Sequence, residues 1–449
     1  MLAIGLCILA FCTCYLAGRR SAWVGLCVLL TWGYFYGILR ANILSAPAHF
    51  IFDTALIGFY LSQFLTGAKS DNGQGHRALT TWMIILVGWP CLLVLLPFQD
   101  VLVSLVGLRG NVFFLPICLI GARLNNRHLT QLAIGLATLN LIAIGFAVAQ
   151  YVFGIERFYP VSAVTAIIYA SRDVGDFHRI PAIFVNAHNY AGTMVMTLPF
   201  LVGAWIQVDL GRRFRLLLLA GIIGAFVGIL LANTRIHLLV AGMLLSVFIF
   251  STRGRAVGWY RIAWCTLVLA VAFTIINSER LGTRLLTLSD TDYVSERIQG
   301  SVNRTFLEIL LEYPMGNGLG GGGTSMPYFL AGLVRTPIAM ESEYARILLE
   351  QGIIGLLLWV AFILWFVVRS FTIADGLWSS SRRMGLVACC AYLGAGMIGI
   401  GLLTSIPQTV LMLMCIGWLT IPPRPDEIRA IRRDRVVSTV GYSEVATYA

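Results

Sequence analysis

LTQLAIGLATLNLIAIGFAVAQYV, residues 129–152, runs for 24 residues without one charged side chain. As an α-helix it is about 36 Å long, enough to cross the hydrocarbon core of a bilayer. Stretches of the same kind recur along the chain, at 2–17, 21–39, 48–66, 80–97, 111–123, 189–207, 214–232, 236–251, 261–277, 344–369, 385–403 and 406–421. The fifth in chain order, 111–123, is short and reads as starting as early as Val101. The last two are either separate spans or one helix bent at Thr404-Ser405-Ile406-Pro407. The expected fold is therefore all-α: a polytopic membrane helix bundle of about 12–13 spans. Composition agrees, with 58% apolar and 12% charged residues, where soluble domains carry about 25% charged.

The net charge is +11, and Lys69 is the only lysine among the 32 basic residues. In so apolar a chain this charge points to orientation in the membrane and contact with anionic lipid, and it excludes a nucleic-acid partner. Alternate loops collect the basic residues: Arg19 and Arg20, Lys69 and Arg77, Arg123 and Arg127, Arg212 to Arg215, Arg253 to Arg261, Arg382 and Arg383. This set and the 422–449 tail are expected in the cytoplasm. The long connections 153–188 and 278–343 are then extracytoplasmic, on a single membrane domain covering 1–449. The ten cysteines all fall in apolar segments, so neither a disulfide framework nor a cysteine metal site is expected. Within 278–343, Ile298, Val302, Phe306, Ile309 and Leu310 recur at helical spacing. That helix is expected to start at Asp290 or Asp292, stop at Tyr313-Pro314, and lie on the membrane surface or on top of the bundle. The glycine-rich run Gly316 to Gly323 after it reads as a flexible loop. It has no following Lys-Ser/Thr, which excludes a P-loop.

Three clusters on the outer side carry candidate chemistry. Arg235 stands in Asn233-Thr234-Arg235-Ile236-His237, a tight break between two spans. It reads either as a bidentate clamp on a lipid diphosphate or as an interfacial arginine reaching to headgroups. Arg179, Asn186, His188 and Asn189 concentrate donors before a span, with Asn186 or Asn189 as the helix cap or as part of an anion site. Glu341-Ser342-Glu343-Tyr344 opens the next span. One of its carboxylates reads as a cap and the other as a general base. Glu343 is expected to cap or to face water. Arg304 and Glu308, four residues apart, read as a surface ion pair. His49 and Asp53, also four apart, read as a buried, mutually hydrogen-bonded pair or as a proton relay of a transporter. No set of side chains has metal-ligand spacing.

The clusters also fall in a familiar order. Arg179-x-x-Ala182-x-Phe184-x-Asn186-Ala187-His188-x-x-Ala191 resembles the R-x-x-G-x-F-x-N-P-N-x-x-A segment of the O-antigen ligase/polymerase superfamily. Thr234-Arg235 resembles its S-R pair, and Pro314-Met315-Gly316-Asn317-Gly318 its P-x-x-G-x-G turn. The run from Glu341 to Gly355 resembles H-N-x-Y-L-x-x-L-x-E-x-G-x-x-G with the same spacing. Ligases carry histidine where Glu341 stands, so the resemblance is to a polysaccharide polymerase more than to a ligase.

The resemblance implies an inverting, GT-C-like glycosyltransferase in the bacterial inner membrane, with its site facing the periplasm. It would need neither metal nor cofactor. Donor and acceptor would be polyprenyl-diphosphate-linked glycans, and a chain-length regulator would be a partner protein besides membrane lipid. Arg179 and Arg235 would neutralise the diphosphate and Glu341 would take the acceptor proton. Arg304, Asn186, His188, Asn189, Glu343 and Tyr344 would contact substrate. Transfer to lipid A core or to protein, as in a ligase, is the alternative, and a transporter the second.

Overall fold

In a computed structural model the described residues are 1–66, 74–170, 179–206, 210–251, 306–322, 326–327, 329–335, 337–338, 340, 342–371, 378–399 and 401–422. Among them the regular structure is helical, with no strand. Eight helices are long and apolar enough to cross a membrane: Leu2–Arg20, Ala22–Asn42, Ala46–Leu65, Gly75–Leu93, Val101–Gly121, Asn126–Phe153, Arg212–Leu231 and Glu343–Phe371. Arg235–Ser251 and Gln408–Thr420 are shorter and also apolar. The chain is a multi-pass helical bundle. The expected span at 261–277 lies outside the described residues, as do most of the 278–343 loop and the tail from 423.

Differences from expectation are local. The fourth helix starts at Gln74, not near 80, because a polar first turn with His76 and Arg77 precedes its apolar part. The fifth reaches back to Val101, where Asp100 caps it by accepting from the Leu102 amide at 2.9 Å. Ser379–Ala395 and Gln408–Thr420 are separate helices, and the connection between them begins at Gly396, earlier than the break expected at Thr404.

Two helices form the centre. Ala187–Ile206 is buried from Ala187 to Ala204 except at His188, and Gln408–Thr420 is buried from Thr409 to Thr420. A central helix can come this close to its neighbours only where side chains are small. A Cβ on Gly417 would stand 1.9 Å from the Cys118 carbonyl oxygen, and one on Gly121 would stand 2.1 Å from that of Met414. The two glycines let Gln408–Thr420 touch Ile117–Gly121 backbone to backbone. A polar ladder crosses the same core. Tyr34 donates to Asn140 at 2.8 Å, and Asn140 donates to Thr197 at 2.9 Å. Interhelical hydrogen bonds of this kind contribute about 0.6 kcal/mol each in a membrane.

The two ends of the bundle differ. At one end Gly75 lies by Arg369 and Thr420, and Arg382 donates to the Ile421 carbonyl at 2.9 Å. At the other, the Ile38 amide donates to the Ile183 carbonyl and the Glu343 amide to that of Gly396. Tyr159 donates to the carbonyls of Ala182 at 3.1 Å and Phe184 at 2.7 Å. Described parts of 153–188 and the chain around Glu343 thus share an end that is distinct from the one bearing Arg369 and Arg382.

One expectation about the large loop holds as far as it is described, and one changes. The helix Phe306–Glu312 does end before Tyr313-Pro314, and it packs Ile309 against Ile338, Met340, Leu348 and Leu349 on the bundle. Its expected first half, with Asp290 and Asp292, lies outside the described residues. The described part of the glycine run is no flexible loop: Gly316 and Gly318 to Gly322 are buried. The Asn317 amide donates to the Leu349 carbonyl at 2.6 Å, and the Ile353 amide to that of Pro314 at 3.0 Å. Glu343–Phe371 is broken at Gly352, whose φ of +70° is open to glycine at little cost. The Pro314–Gly318 turn occupies that break.

Candidate functional site

The three sequence clusters meet at the end that carries Glu343. Asn186 caps Ala187–Ile206, its side-chain oxygen accepting from the Asn189 amide at 2.8 Å. The segment before it is tied down: Ala182 has φ +51°, an unusual conformation for a residue with a Cβ, and its carbonyl accepts from Gln150 at 2.5 Å. One residue after Arg179, the Ile180 amide donates to the Leu231 carbonyl at 3.4 Å. Leu231 closes Arg212–Leu231, and Asn233, with φ +48°, turns the chain into Arg235–Ser251. Asparagine tolerates that left-handed conformation better than most residues. Arg179 and Arg235 are thus carried by chain segments bonded to each other, and both are half-buried.

The histidines join the next helix. The ring centroids of His188 and His237 are 5.4 Å apart, and those of His237 and Tyr392 5.8 Å apart. His237 Nδ1 is 3.0 Å from the Thr234 hydroxyl. Arg179 is close enough to His188 to act on it electrostatically. Tyr392 donates to the Gly192 carbonyl at 3.1 Å, and Tyr344 to that of Leu393 at 2.7 Å. Two helix N-termini, at Ala187 and Arg235, open at this place. Each N-terminus behaves as roughly half a positive charge, so helices and arginines together favour an anion.

Glu343 differs from expectation. It neither faces water nor serves only as a cap: it is 1% exposed, and Arg346 holds it at 2.5 Å. Its other oxygen accepts from the Gly401 amide at 2.8 Å. Arg346 also holds Glu350 at 2.8 Å. Asn111 donates to Glu350 at 2.7 Å and accepts from Gln351 at 2.9 Å. So many partners compensate the cost of burying three charges. Both oxygens of Glu343 are thus engaged within the protein. Gly322 lies over this network, a Cβ there standing 3.2 Å from Glu350 Oε1.

Asp53 pairs with Arg109 at 2.8 Å, a partner 56 residues away, and not with the nearby His49 as its main contact. The His49 carbonyl accepts from Tyr36 at 2.9 Å and its ring packs edge-on to Phe329 at 5.6 Å. A carboxylate fixed by an arginine is poorly arranged for a proton relay.

Arg179, Asn186, His188, Asn189, Arg235 and Tyr344 therefore lie at one end of the bundle. Glu341, the expected base, and Arg304 lie outside the described residues. The sequence reading assigned no role to Arg346, Glu350, Asn111, Gln351 or Tyr392. Charges within an apolar run were the available signal for the first two. Among the described residues no group of three or more metal-ligating side chains comes together. No protein-family model matches the chain, and no curated protein matches it.

Proposed function

We propose that this protein is an inverting membrane glycosyltransferase that polymerises polyprenyl-diphosphate-linked repeat units on the outer face of the bacterial inner membrane. The observation that carries the reading is the convergence of the Arg179 and Arg235 segments beside His188, at an end where two helix N-termini open. Ala182 adds support: its positive φ falls where the superfamily pattern has glycine.

In this reading the acceptor hydroxyl oxygen attacks the anomeric carbon of the donor sugar from the face opposite the diphosphate. The carbon–oxygen bond to the diphosphate breaks, the configuration inverts, and Glu341 takes the hydroxyl proton. Charge growing on the leaving oxygens is met by Arg179 and Arg235. A diphosphate met by two guanidinium groups is a competent leaving group without a metal ion. Ligase chemistry would use the same donor site with another acceptor.

The test is polymer formation by purified protein in liposomes supplied with lipid-linked repeat unit. Arg235→Ala and Arg179→Ala are each expected to lose about 10- to 100-fold in rate, since a hydrogen bond to a charged group contributes about 1.5–3 kcal/mol. Arg235→Lys is expected to recover only part, because lysine cannot fork. Wild-type activity is expected to survive EDTA. Normal polymer amount and length in both alanine variants would remove the clamp.

Sidedness has its own test. Gly332 is exposed, and a Cβ there meets nothing within 4 Å. The native cysteines all lie outside 278–343. Gly332→Cys is expected to react with an impermeant maleimide in intact spheroplasts above the wild-type background. Reaction only after lysis would put the loop, and the proposed site, on the wrong side of the membrane.

A further inference from the structure

Arg235–Ser251, the last turn of Glu343–Phe371 and Ser379–Ala395 from Arg382 to Ala391 surround a cleft of about 550 Å³, whose polar groups lie at the end of the bundle opposite the candidate site. Met243, Phe371 and Leu386 give it an apolar wall, while Ser370, Arg382 and Arg383 supply its polar groups. Arg382 is pinned. It donates to the Ile421 carbonyl at 2.9 Å and lies 4.9 Å from the centre of the Trp418 ring. Its neighbour Arg383 is exposed at the rim. Ser370 is 7% exposed, and its hydroxyl has no hydrogen-bond partner among the described residues. A buried hydroxyl left unpaired is costly, and here it lines an apolar cleft that water would occupy poorly.

We propose that this cleft binds one acidic glycerophospholipid. An acyl chain fills the apolar wall, the Ser370 hydroxyl meets an ester or phosphate oxygen, and Arg382 and Arg383 hold the headgroup phosphate. Two adjacent guanidinium groups select the headgroup by charge. They favour a phosphate with no ammonium of its own and repel the cationic end of a zwitterionic lipid. The site is independent of the glycosyl-transfer reading, since none of its residues is among those proposed for that chemistry.

Native mass spectrometry of the purified full chain, titrated with phosphatidylglycerol or phosphatidylcholine, tests this. Phosphatidylglycerol is expected to bind the wild type about tenfold more tightly, and Arg383→Gln to remove most of that preference, a loss near the lower limit for a charge-assisted contact at a solvated rim. Leu386→Trp, which fills the wall, is expected to weaken both lipids while leaving gel-filtration behaviour unchanged. Equal affinity for the two lipids, or a preference that survives Arg383→Gln, overturns the proposal. So does displacement of the lipid by inorganic phosphate alone, which would identify a site for free phosphate.

Discussion

Glu341→Gln protein is expected to fold, to bind lipid-linked donor as the wild type does, and to form polymer about 10²–10⁴ times more slowly, the loss typical of a missing general base. The amide keeps the size of the carboxylate and removes its capacity to take a proton. Glu341→His is expected to retain part of the rate, because imidazole also accepts a proton near neutral pH. Single-turnover polymerisation with donor binding measured separately distinguishes the outcomes. Full activity in Glu341→Gln would leave this residue as a helix cap and remove the base from the mechanism. Glu343→Gln, the natural neighbouring control, is less simple than its sequence suggests. Glu343 is held by Arg346 and by the Gly401 amide, so its loss is expected to lower stability and not the chemical step. A folded Glu343→Gln fraction should turn over near the wild-type rate.

The largest stability effect is expected at Arg346. Arg346→Met leaves Glu343 and Glu350 buried without their shared cation, and breaking a buried ion pair this way costs about 3–5 kcal/mol. The thermal midpoint in detergent should fall markedly, with less folded protein recovered. The triple variant Glu343→Gln, Arg346→Met, Glu350→Gln should regain most of that loss, since it removes the stranded charges together with their partner. An Arg346→Met protein as stable as wild type would mean that the carboxylates are compensated without the arginine. A triple variant as unstable as the single one would show that hydrogen bonding, and not charge, holds this region.

The eight helices long enough to cross a membrane were legible because each is a long apolar run with its own local signal. What sequence left unread lies in contacts between distant segments. The spacing of Glu343, Arg346 and Glu350 at three and four residues was visible as a set of helix neighbours, but their burial depends on Asn111, more than 200 residues away. Asp53 was matched with His49 because they are close in the chain, whereas its partner is on another helix. The glycine run looked flexible because composition alone speaks for flexibility. Its fixed structure comes from the break at Gly352 and from Leu349, which its own sequence does not reveal. In the candidate site, the order of the clusters was readable and their meeting was not. That meeting depends on the Ile180–Leu231 hydrogen bond and on the rings of His188, His237 and Tyr392.

The position of Gln408–Thr420 bears on how the protein is made. It follows every other described helix in the chain, yet it is buried from Thr409 to Thr420 between Ala187–Ile206 and Ile117–Gly121. The ribosome therefore delivers a central strut after the helices that surround it have entered the membrane. Until then the slot beside Gly121 stands open to lipid or to a helper protein during insertion. Nascent chains halted before Gln408 should accordingly be more readily cleaved by proteases than chains halted after Thr420, even though they already contain all of the residues proposed for chemistry.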